Sequence, residues 1–468
     1  MTSFVRDLNV AQIFWSKYFG VIERWSDGGQ TLMEFFWNIP IIIKVAGVFS
    51  LILVLIRHKY QLGTALLAGS FLLGFWCRMS LGEIVRSIGT TMLHPKTFLL
   101  SAVVVLILIL SRSLDTFDQM KRLLASFQGL VRNAKFNLVL FPALIGLLPM
   151  PGGAIFSAPM VDELGNEHQL DPETKSLINY WFRHVWEFAW PLYPGVLLAS
   201  SMASVSVWAF VSRSFPLTLI SIIAGYIFLL RNIVSSPLAK TKKMEKAQFQ
   251  AFLKEMIPIA FVLVGALSAS ACIAWLQRYI PELAGIPTEL PLILSLILSI
   301  LYVWVVNKAS GSVIRSILLN KALLKMIYMI TAIYIFKEIL VTSRAVIDLS
   351  AFLADQHIPL LMVILLIPFI VGSIAGIAVA FVGTTFPVLL SLLQILQIEP
   401  HAILSYLVLG FCAGFVGVMV SPLHVCLVFT QEYFKSDFRM LYQRRWKPLT
   451  VLMVGGIIYF SLLILFGG

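Results

Sequence analysis

Charged side chains are scarce in this chain. Only 12% of the 468 residues are Asp, Glu, Lys or Arg, whereas 59% are hydrophobic. So small a share of charge leaves too little polar surface to cover a soluble globule of this size. The composition therefore excludes an ordinary soluble enzyme and predicts an all-α polytopic membrane protein.

Cysteine is also rare and irregularly placed. The four cysteines lie within apolar stretches and show no CxxC or Cys/His spacing: Cys77, Cys272, Cys412 and Cys426. They are interpreted as small core residues, and neither a disulfide framework nor a metal site is expected. No nucleophile–base pair is evident, so the chain is not expected to be an enzyme, and no cofactor beyond a coupling ion is predicted.

The few charged residues are mostly basic, and the net charge is +12. Such an excess could suggest nucleic-acid binding, but most Lys and Arg residues fall in loops that an alternating topology places on one side of the membrane. Because the positive-inside rule explains this bias, membrane lipids are expected partners and nucleic acid is not. The basic side is cytoplasmic, which predicts a protein of the cytoplasmic membrane with both termini outside.

Long apolar segments recur along the chain in a set order. Each half holds three scaffold spans, an amphipathic arm, an interrupted apolar segment, a broken span and a last span. In the first half the scaffold is 39–111, the arm 112–135, the interrupted segment with the broken span 136–200, and the last span 214–230. In the second half the same parts are 257–341, 342–359, 361–430 and 448–466.

This shared order predicts an internal repeat, because corresponding segments begin about 225 residues apart. If each interrupted segment is a re-entrant hairpin, each half crosses the membrane five times, and an odd number of crossings inverts the second repeat. The prediction is about ten transmembrane helices and two re-entrant hairpins in two inverted repeats, 39–230 and 257–468. Residues 1–38 are expected to form an interfacial segment, and 231–256 a cytoplasmic linker.

Glycine, proline and small hydroxyl residues interrupt the apolar segments at matched places. The stretches are LLPMPGGAIFSAPM and AFVGTTFPVLL, each followed by a second break, FAWPLYPGVLLAS or VGVMVSPLHVCLV. Since broken backbone persists in a membrane only where protein or a water-filled cavity satisfies it, these breaks predict a substrate or ion site. Its predicted residues are Gly152, Gly153, Ser157, Pro191, Gly195, Gly383, Thr384, Thr385, Ser421 and Pro422. Alternatively, glycine and proline only kink the helices or let them pack closely.

Ionisable residues inside apolar segments are a second indication of function, because burying them is costly. Arg183, His184 and Glu187 lie in SLINYWFRHVWEFAWPLYPG, and His424 follows Pro422. A glutamate and a histidine near a break could bind and release a coupling proton, and the arginine could attract a carboxylate. Alternatively, Arg183 and Glu187 form a structural pair on one helix face, with His184 at the headgroups and His424 as a packing residue.

The motifs PMPGGAIFSAP and SPLHVCLVFTQEYF resemble those of a poorly characterised prokaryotic membrane protein family in the ion transporter superfamily, which is related to citrate, gluconate, dicarboxylate and arsenite permeases. The resemblance covers nearly the whole chain and implies a homodimeric elevator-type transporter, in which a part with a hairpin and a broken helix slides against a scaffold. Sodium-coupled dicarboxylate relatives have Ser-Asn-Thr motifs at both hairpin tips. The matching positions here, Ala154 to Ser157 and Thr384 to Phe386, lack asparagine, so sodium coupling and dicarboxylate specificity are not carried over.

Together these features predict a secondary active transporter, a permease or symporter that moves a small organic anion (a carboxylate) with H⁺ or Na⁺. The alternative is an inorganic cation/proton antiporter that uses Glu187 and His184. A third hypothesis, a membrane scaffold or intramembrane enzyme, is disfavoured because neither a catalytic pair nor a soluble docking domain is evident.

Overall fold

The structure, a computed structural model, describes residues 37–127, 134–147, 153–233 and 246–466. Within these ranges all regular elements are helices. Six helices there are long and apolar enough to cross a membrane: Pro95–Thr116, Val207–Leu230, Phe249–Leu276, Ala378–Ile395, Pro400–Phe434 and Phe438–Leu465. Shorter apolar helices are Leu62–Trp76, Lys135–Gly146, Leu290–Val306 and Leu360–Ala375. The expectation of an all-helical, membrane-embedded protein is therefore confirmed.

The described part of the first half forms ten α-helices. They are α1 (Ile41–Arg57), α2 (Leu62–Trp76), α3 (Leu81–Leu93), α4 (Pro95–Thr116), α5 (Gln119–Phe127), α6 (Ala134–Gly146), α7 (Ala154–Glu167), α8 (Pro172–Arg183), α9 (Pro194–Met202) and α10 (Val207–Gly225). A 3₁₀ turn, Val185–Phe188, follows α8, and a π turn, Tyr226–Leu230, extends α10.

The described part of the second half also forms ten α-helices. They are α11 (Lys246–Leu276), α12 (Leu290–Val306), α13 (Gly311–Leu318), α14 (Lys321–Thr342), α15 (Ala345–Asp355), α16 (Leu360–Ala375), α17 (Ala378–Ile395), α18 (Pro400–Val420), α19 (Val425–Phe434) and α20 (Phe438–Leu465). A short 3₁₀ turn, Pro281–Gly285, lies between α11 and α12.

Helices from both halves pack into two groups. In the first group α14 packs against α2, α3 and α4, and α12 packs against α4 and α11. A hydrogen bond from Trp304 Nε1 to Ser113 Oγ, 2.9 Å long, joins α12 to α4. In the second group α6 to α10 pack with α16 to α20, most closely where α16 meets α18. The groups meet where α14 contacts α17 and α4 contacts α9.

The start of α8 is fixed by Asp171. Its carboxylate accepts the Thr174 N–H at 2.7 Å, an N-cap bond, and Arg444 Nη1 from α20 at 2.9 Å. Partial burial favours the protonated carboxyl, but the Thr174 amide and the Arg444 guanidinium hold the pKa of Asp171 below its ordinary value. The helix that ends at Arg183, a predicted site residue, is thereby tied to α20.

The predicted interruption at Gly383 is wrong, because α17 is continuous from Ala378 to Ile395. An added Cβ on Gly383 would lie 2.8 Å from the Ile333 side chain, so this glycine lets α17 approach α14 closely and does not break the helix. The hydroxyls of Thr384 and Thr385 donate to carbonyls one turn earlier in the same helix, at 2.8 and 2.7 Å.

Other predicted boundaries differ in smaller ways. The linker predicted at 231–256 ends in helix, because α11 begins at Lys246. The broken span predicted within 136–200 is divided between α8 and α9. The interfacial segment at 1–38, up to residue 36, and the linker residues 234–245 lie outside the described residues.

Close packing of α16 on α18 gives a test of the fold. A Cβ added to Gly417 would collide with Phe369 O and lie 3.0 Å from Ser373 N, so Gly417→Ala is expected to cost about 1–3 kcal/mol through overpacking. The measurement is the thermal midpoint of the purified protein in detergent. Gly89→Ala is the matched control, because Gly89 is also helical but has no atom within 4 Å of the added Cβ.

Gly89→Ala is expected to leave the midpoint unchanged or to raise it slightly, since alanine favours helix over glycine by about 0.5–1 kcal/mol. Equal midpoints for the two variants would contradict the packing described for α16 and α18.

Candidate functional site

The helical chain of the second half breaks at Gly376 and Ile377, between α16 and α17. Gly376 has a φ of 69°, the left-handed conformation that glycine adopts at helix ends. Its N–H donates to Gly372 O at 2.9 Å. An added Cβ would lie 3.0 Å from both His424 N and Ser421 Oγ, so the turn requires glycine for its conformation and for its close contacts.

The second broken span is divided between α18 and α19. Side chains satisfy the last carbonyls of α18: Tyr180 Oη donates to Met419 O at 3.2 Å, and Tyr442 Oη and Arg445 Nη2 donate to Val420 O at 3.0 and 2.6 Å. The charge of Arg445 also complements the negative end of the helix. Side chains therefore supply hydrogen-bond donors to the last two carbonyls of α18 inside the protein.

The two breaks of the second half are joined directly. His424, which precedes α19, has its Nδ1 atom 2.7 Å from Gly376 O. Because a carbonyl oxygen only accepts, Nδ1 carries the proton and donates it. Ser421 Oγ accepts the N–H of Leu423 at 3.2 Å and completes the turn.

The first broken span has a longer interruption. α8 ends at Arg183, and Glu187 lies in the 3₁₀ turn that follows, so their expected placement on one helix face is wrong. Arg183 Nη1 donates to Tyr193 Oη at 2.7 Å, and Tyr193 Oη donates to Gly146 O at 2.5 Å. These bonds tie the end of α6 to the start of α9.

These breaks surround a cavity of about 250 Å³. Polar side chains reach it from both halves: Arg183, His184, Glu187, Tyr193, His424 and Cys426. Its apolar walls include Leu108 of α4, Met326 and Met329 of α14, and Phe415 and Val418 of α18. Apolar walls with a few convergent polar groups are typical of small-molecule sites.

Three helices begin at the cavity. Their first residues line it, at Pro194 and Gly195 for α9, Ala378 and Val379 for α17, and Val425 and Cys426 for α19. Within the described chain, no side chain caps any of these three N termini. Uncapped N–H groups at a helix start carry partial positive charge, and Arg183 adds a full charge. The cavity is therefore suited to an anion.

His184 and His424 meet in the cavity wall. Their Nε2 atoms lie 3.0 Å apart, and both side chains are buried. His184 Nδ1 lies 2.6 Å from Tyr180 O and donates to it, as His424 does to Gly376. The Cys426 Sγ atom and one ring nitrogen of each histidine all lie within 4.8 Å of one another.

The structure brings several predicted site residues to this cavity: Arg183, His184, Glu187, Gly195 and His424. Ser421 lies beside the Gly376 turn, and Pro191 and Pro422 lie in the two interruptions. Gly153 directly precedes α7, and Gly152 lies outside the described residues. The group at Gly383, Thr384 and Thr385 lies within α17 and does not line the cavity.

Ser157 belongs to a separate buried network. Its hydroxyl donates to Asn179 Oδ1 at 2.6 Å, and Asn179 Nδ2 donates to Ala154 O at 2.9 Å. Asn179 Nδ2 also lies 3.4 Å from Thr430 Oγ1, so the network links α7, α8 and α19. Ser157 and Thr430 are fully buried, and the network ties together the helices that border the breaks.

Sequence reasoning missed Gly376 and Cys426. Cys426 was expected to be a core residue. It lies two residues from His424, but the other histidine of the group, His184, is 240 residues away from His424 in the sequence, so no local motif indicates the group. Gly376, the last residue of GSIAG, is a candidate helix end in the sequence. Gly383 in the next helix is followed directly by hydroxyl residues and was therefore predicted as the break.

Apolar helices that break around an apolar-walled cavity with a few convergent polar side chains define a class, the multi-pass helical membrane proteins with an embedded polar site. The chain belongs to the DUF401 family of proteins of unknown function, whose match covers residues 42–463. No curated protein matches the chain significantly.

The bond from Arg183 to Tyr193 and on to Gly146 gives a test of the site. Tyr193→Phe removes the hydroxyl that accepts from the Arg183 guanidinium and donates to Gly146 O. The loss of these two buried hydrogen bonds is expected to lower the free energy of unfolding by about 1.5–3 kcal/mol. The thermal midpoint should fall in Tyr193→Phe. It should stay unchanged in Tyr60→Phe, because Tyr60 is 57% exposed. A midpoint as high in Tyr193→Phe as in the wild type would contradict the described bonding.

Proposed function

We propose that this protein is a secondary active transporter of a small organic anion, a carboxylate, in the cytoplasmic membrane. The observation that carries the proposal is the convergence of Arg183 and three uncapped helix N termini on one cavity. Helix N termini and a guanidinium both favour carboxylates. Broken helices around an internal site are also the usual site architecture of secondary transporters.

In this proposal the two halves are inverted repeats, each with five spans and a re-entrant hairpin. The support is the recurring order of helices and breaks. The first hairpin, α6 and α7, corresponds to α16 and α17, and the first broken span, α8 and α9, corresponds to α18 and α19. A chain that repeats its breaks in this way has the sequence pattern of inverted-repeat transporters.

The cavity also lies where the two groups of helices meet. Leu108 lines it from α4, Met326 and Met329 line it from α14, and the remaining lining belongs to the group that contains the breaks. If the second group slides against the first, the cavity moves with it, as in an elevator mechanism. The resemblance to the ion transporter superfamily favours the same mechanism and a homodimer.

An inorganic cation/proton antiporter is the second candidate. It is favoured by the imidazoles of His184 and His424 and the carboxyl of Glu187, which line the same cavity and could exchange protons. In the organic-anion transporter the carboxyl of Glu187 would bind a coupling proton. The two functions therefore differ in the transported species and can be separated by flux measurements.

Uptake by proteoliposomes tests the first candidate. Arg183→Gln removes the full positive charge at the cavity, and the loss of charge-assisted bonding, about 1.5–3 kcal/mol, should lower uptake of a radiolabelled carboxylate roughly 10- to 100-fold at low concentration. Arg183→Lys should keep part of the uptake, because it keeps the charge but not the planar fork.

Arg445→Gln is the matched control. Arg445 is as buried as Arg183, at 2% exposure each, but it stacks on Tyr442 and does not line the cavity. It should lower the thermal midpoint more than the substrate affinity. Equal loss of affinity in both variants would refute the role of Arg183, and proton efflux driven by an inorganic cation alone would favour the antiporter.

A further inference from the structure

The His184–His424 pair has an unusual hydrogen-bonding state. Each Nδ1 atom lies 2.6–2.7 Å from a backbone carbonyl, Tyr180 O for His184 and Gly376 O for His424. A carbonyl oxygen has no proton to give, so both Nδ1 atoms must donate. In the neutral imidazole the other nitrogen then carries a lone pair and no proton. Both Nε2 atoms can therefore only accept a hydrogen bond or bind a cation.

These two Nε2 atoms face each other at 3.0 Å. Two lone pairs at this distance repel unless a positive species lies between them. A shared proton would satisfy the pair and convert one ring to imidazolium. A metal ion would satisfy it as well, since nitrogen ligands about 2.0–2.1 Å from a tetrahedral zinc ion lie roughly 3.3 Å apart.

The thiol of Cys426, the third group at this place, favours a metal ion over a shared proton. Cys426 Sγ and the two ring nitrogens all lie within 4.8 Å of one another, and all three residues are buried. A proton shared by two imidazoles needs no thiol, whereas a thiolate with two imidazoles is a ligand set for zinc and other thiophilic transition metals. The cavity borders these atoms, so a water molecule or a carboxylate could supply a fourth ligand.

The surroundings also match those of a metal site. Ligand histidines usually donate their second ring N–H to a carbonyl or carboxylate, which fixes the tautomer and the ring orientation. Both histidines already do so through Tyr180 O and Gly376 O. A thiolate offsets one charge of a divalent ion, and Glu187 lines the same cavity, while Arg183, the cation that also faces it, is bonded to Tyr193.

We propose that His184, His424 and Cys426 form a binding site for one thiophilic transition-metal ion, of which Zn²⁺ is the representative. The ligands come from the first broken span and from the second, so the ion would link the two halves of the chain at the cavity. This inference does not rest on transport, because it concerns metal binding by the purified protein.

Metal binding to the full-length protein in detergent tests the site. After removal of bound metal with a chelator, equilibrium dialysis against Zn²⁺ should give one ion per wild-type chain. Cys426→Ser and His424→Gln should each weaken binding more than about tenfold, a conservative figure because changes to the partners of ligands alone cost 10- to 100-fold. Substitution with Co²⁺ should produce a thiolate-to-cobalt charge-transfer band that Cys426→Ser removes.

Cys412→Ser is the matched control, because Cys412 is a fully buried cysteine that lies near Leu452 O and away from the cavity. It should bind Zn²⁺ as tightly as the wild type and keep the cobalt band. Cys426→Ser changes one atom only, and its size-exclusion profile shows whether it is folded. The proposal is overturned if the wild type binds no stoichiometric Zn²⁺, or if folded Cys426→Ser keeps both the affinity and the band.

Discussion

Every backbone carbonyl freed by a helix break must find a donor inside the protein, because hydrocarbon supplies none. Long-range side chains supply such donors at the ends of several described helices. His424 donates to Gly376 O, Tyr442 and Arg445 donate to Val420 O, and Tyr193 donates to Gly146 O. Most of these bonds connect one break to another or to a distant helix. These long-range hydrogen bonds therefore join the breaks to one another and to neighbouring helices.

The same constraint makes the cavity electrostatically asymmetric. Side chains occupy the carbonyl ends of the broken helices, but the N termini of α9, α17 and α19 carry no side-chain caps in the described chain. N–H groups without side-chain caps, together with the guanidinium of Arg183, therefore lie at the cavity and favour a negative ligand. The anion is expected to complete the hydrogen bonding that the protein leaves open, and this is the physical reason for proposing an anion as the transported species.

The sequence indicated the site best through its ionisable residues in apolar segments, because burying such residues is costly. Arg183, His184, Glu187 and His424 were found because ionisable residues are rare in apolar segments, and all four line the cavity. The break of the second half was misplaced at Gly383, because a glycine can serve either a turn or a close helix contact. The Ile333 side chain beside Gly383 and the left-handed φ of Gly376 distinguish the two in the structure. The role of Cys426 depends on contacts between distant segments, which no local pattern reveals.

The most direct measurement is a thermal-shift screen of the purified protein against mono-, di- and tricarboxylates, each with and without Na⁺ and at two pH values. A ligand that binds only the folded state raises the midpoint. The account predicts that at least one class of carboxylate raises the midpoint of the wild type and leaves that of Arg183→Gln unchanged. A shift with inorganic cations alone, and none with any carboxylate, would contradict it.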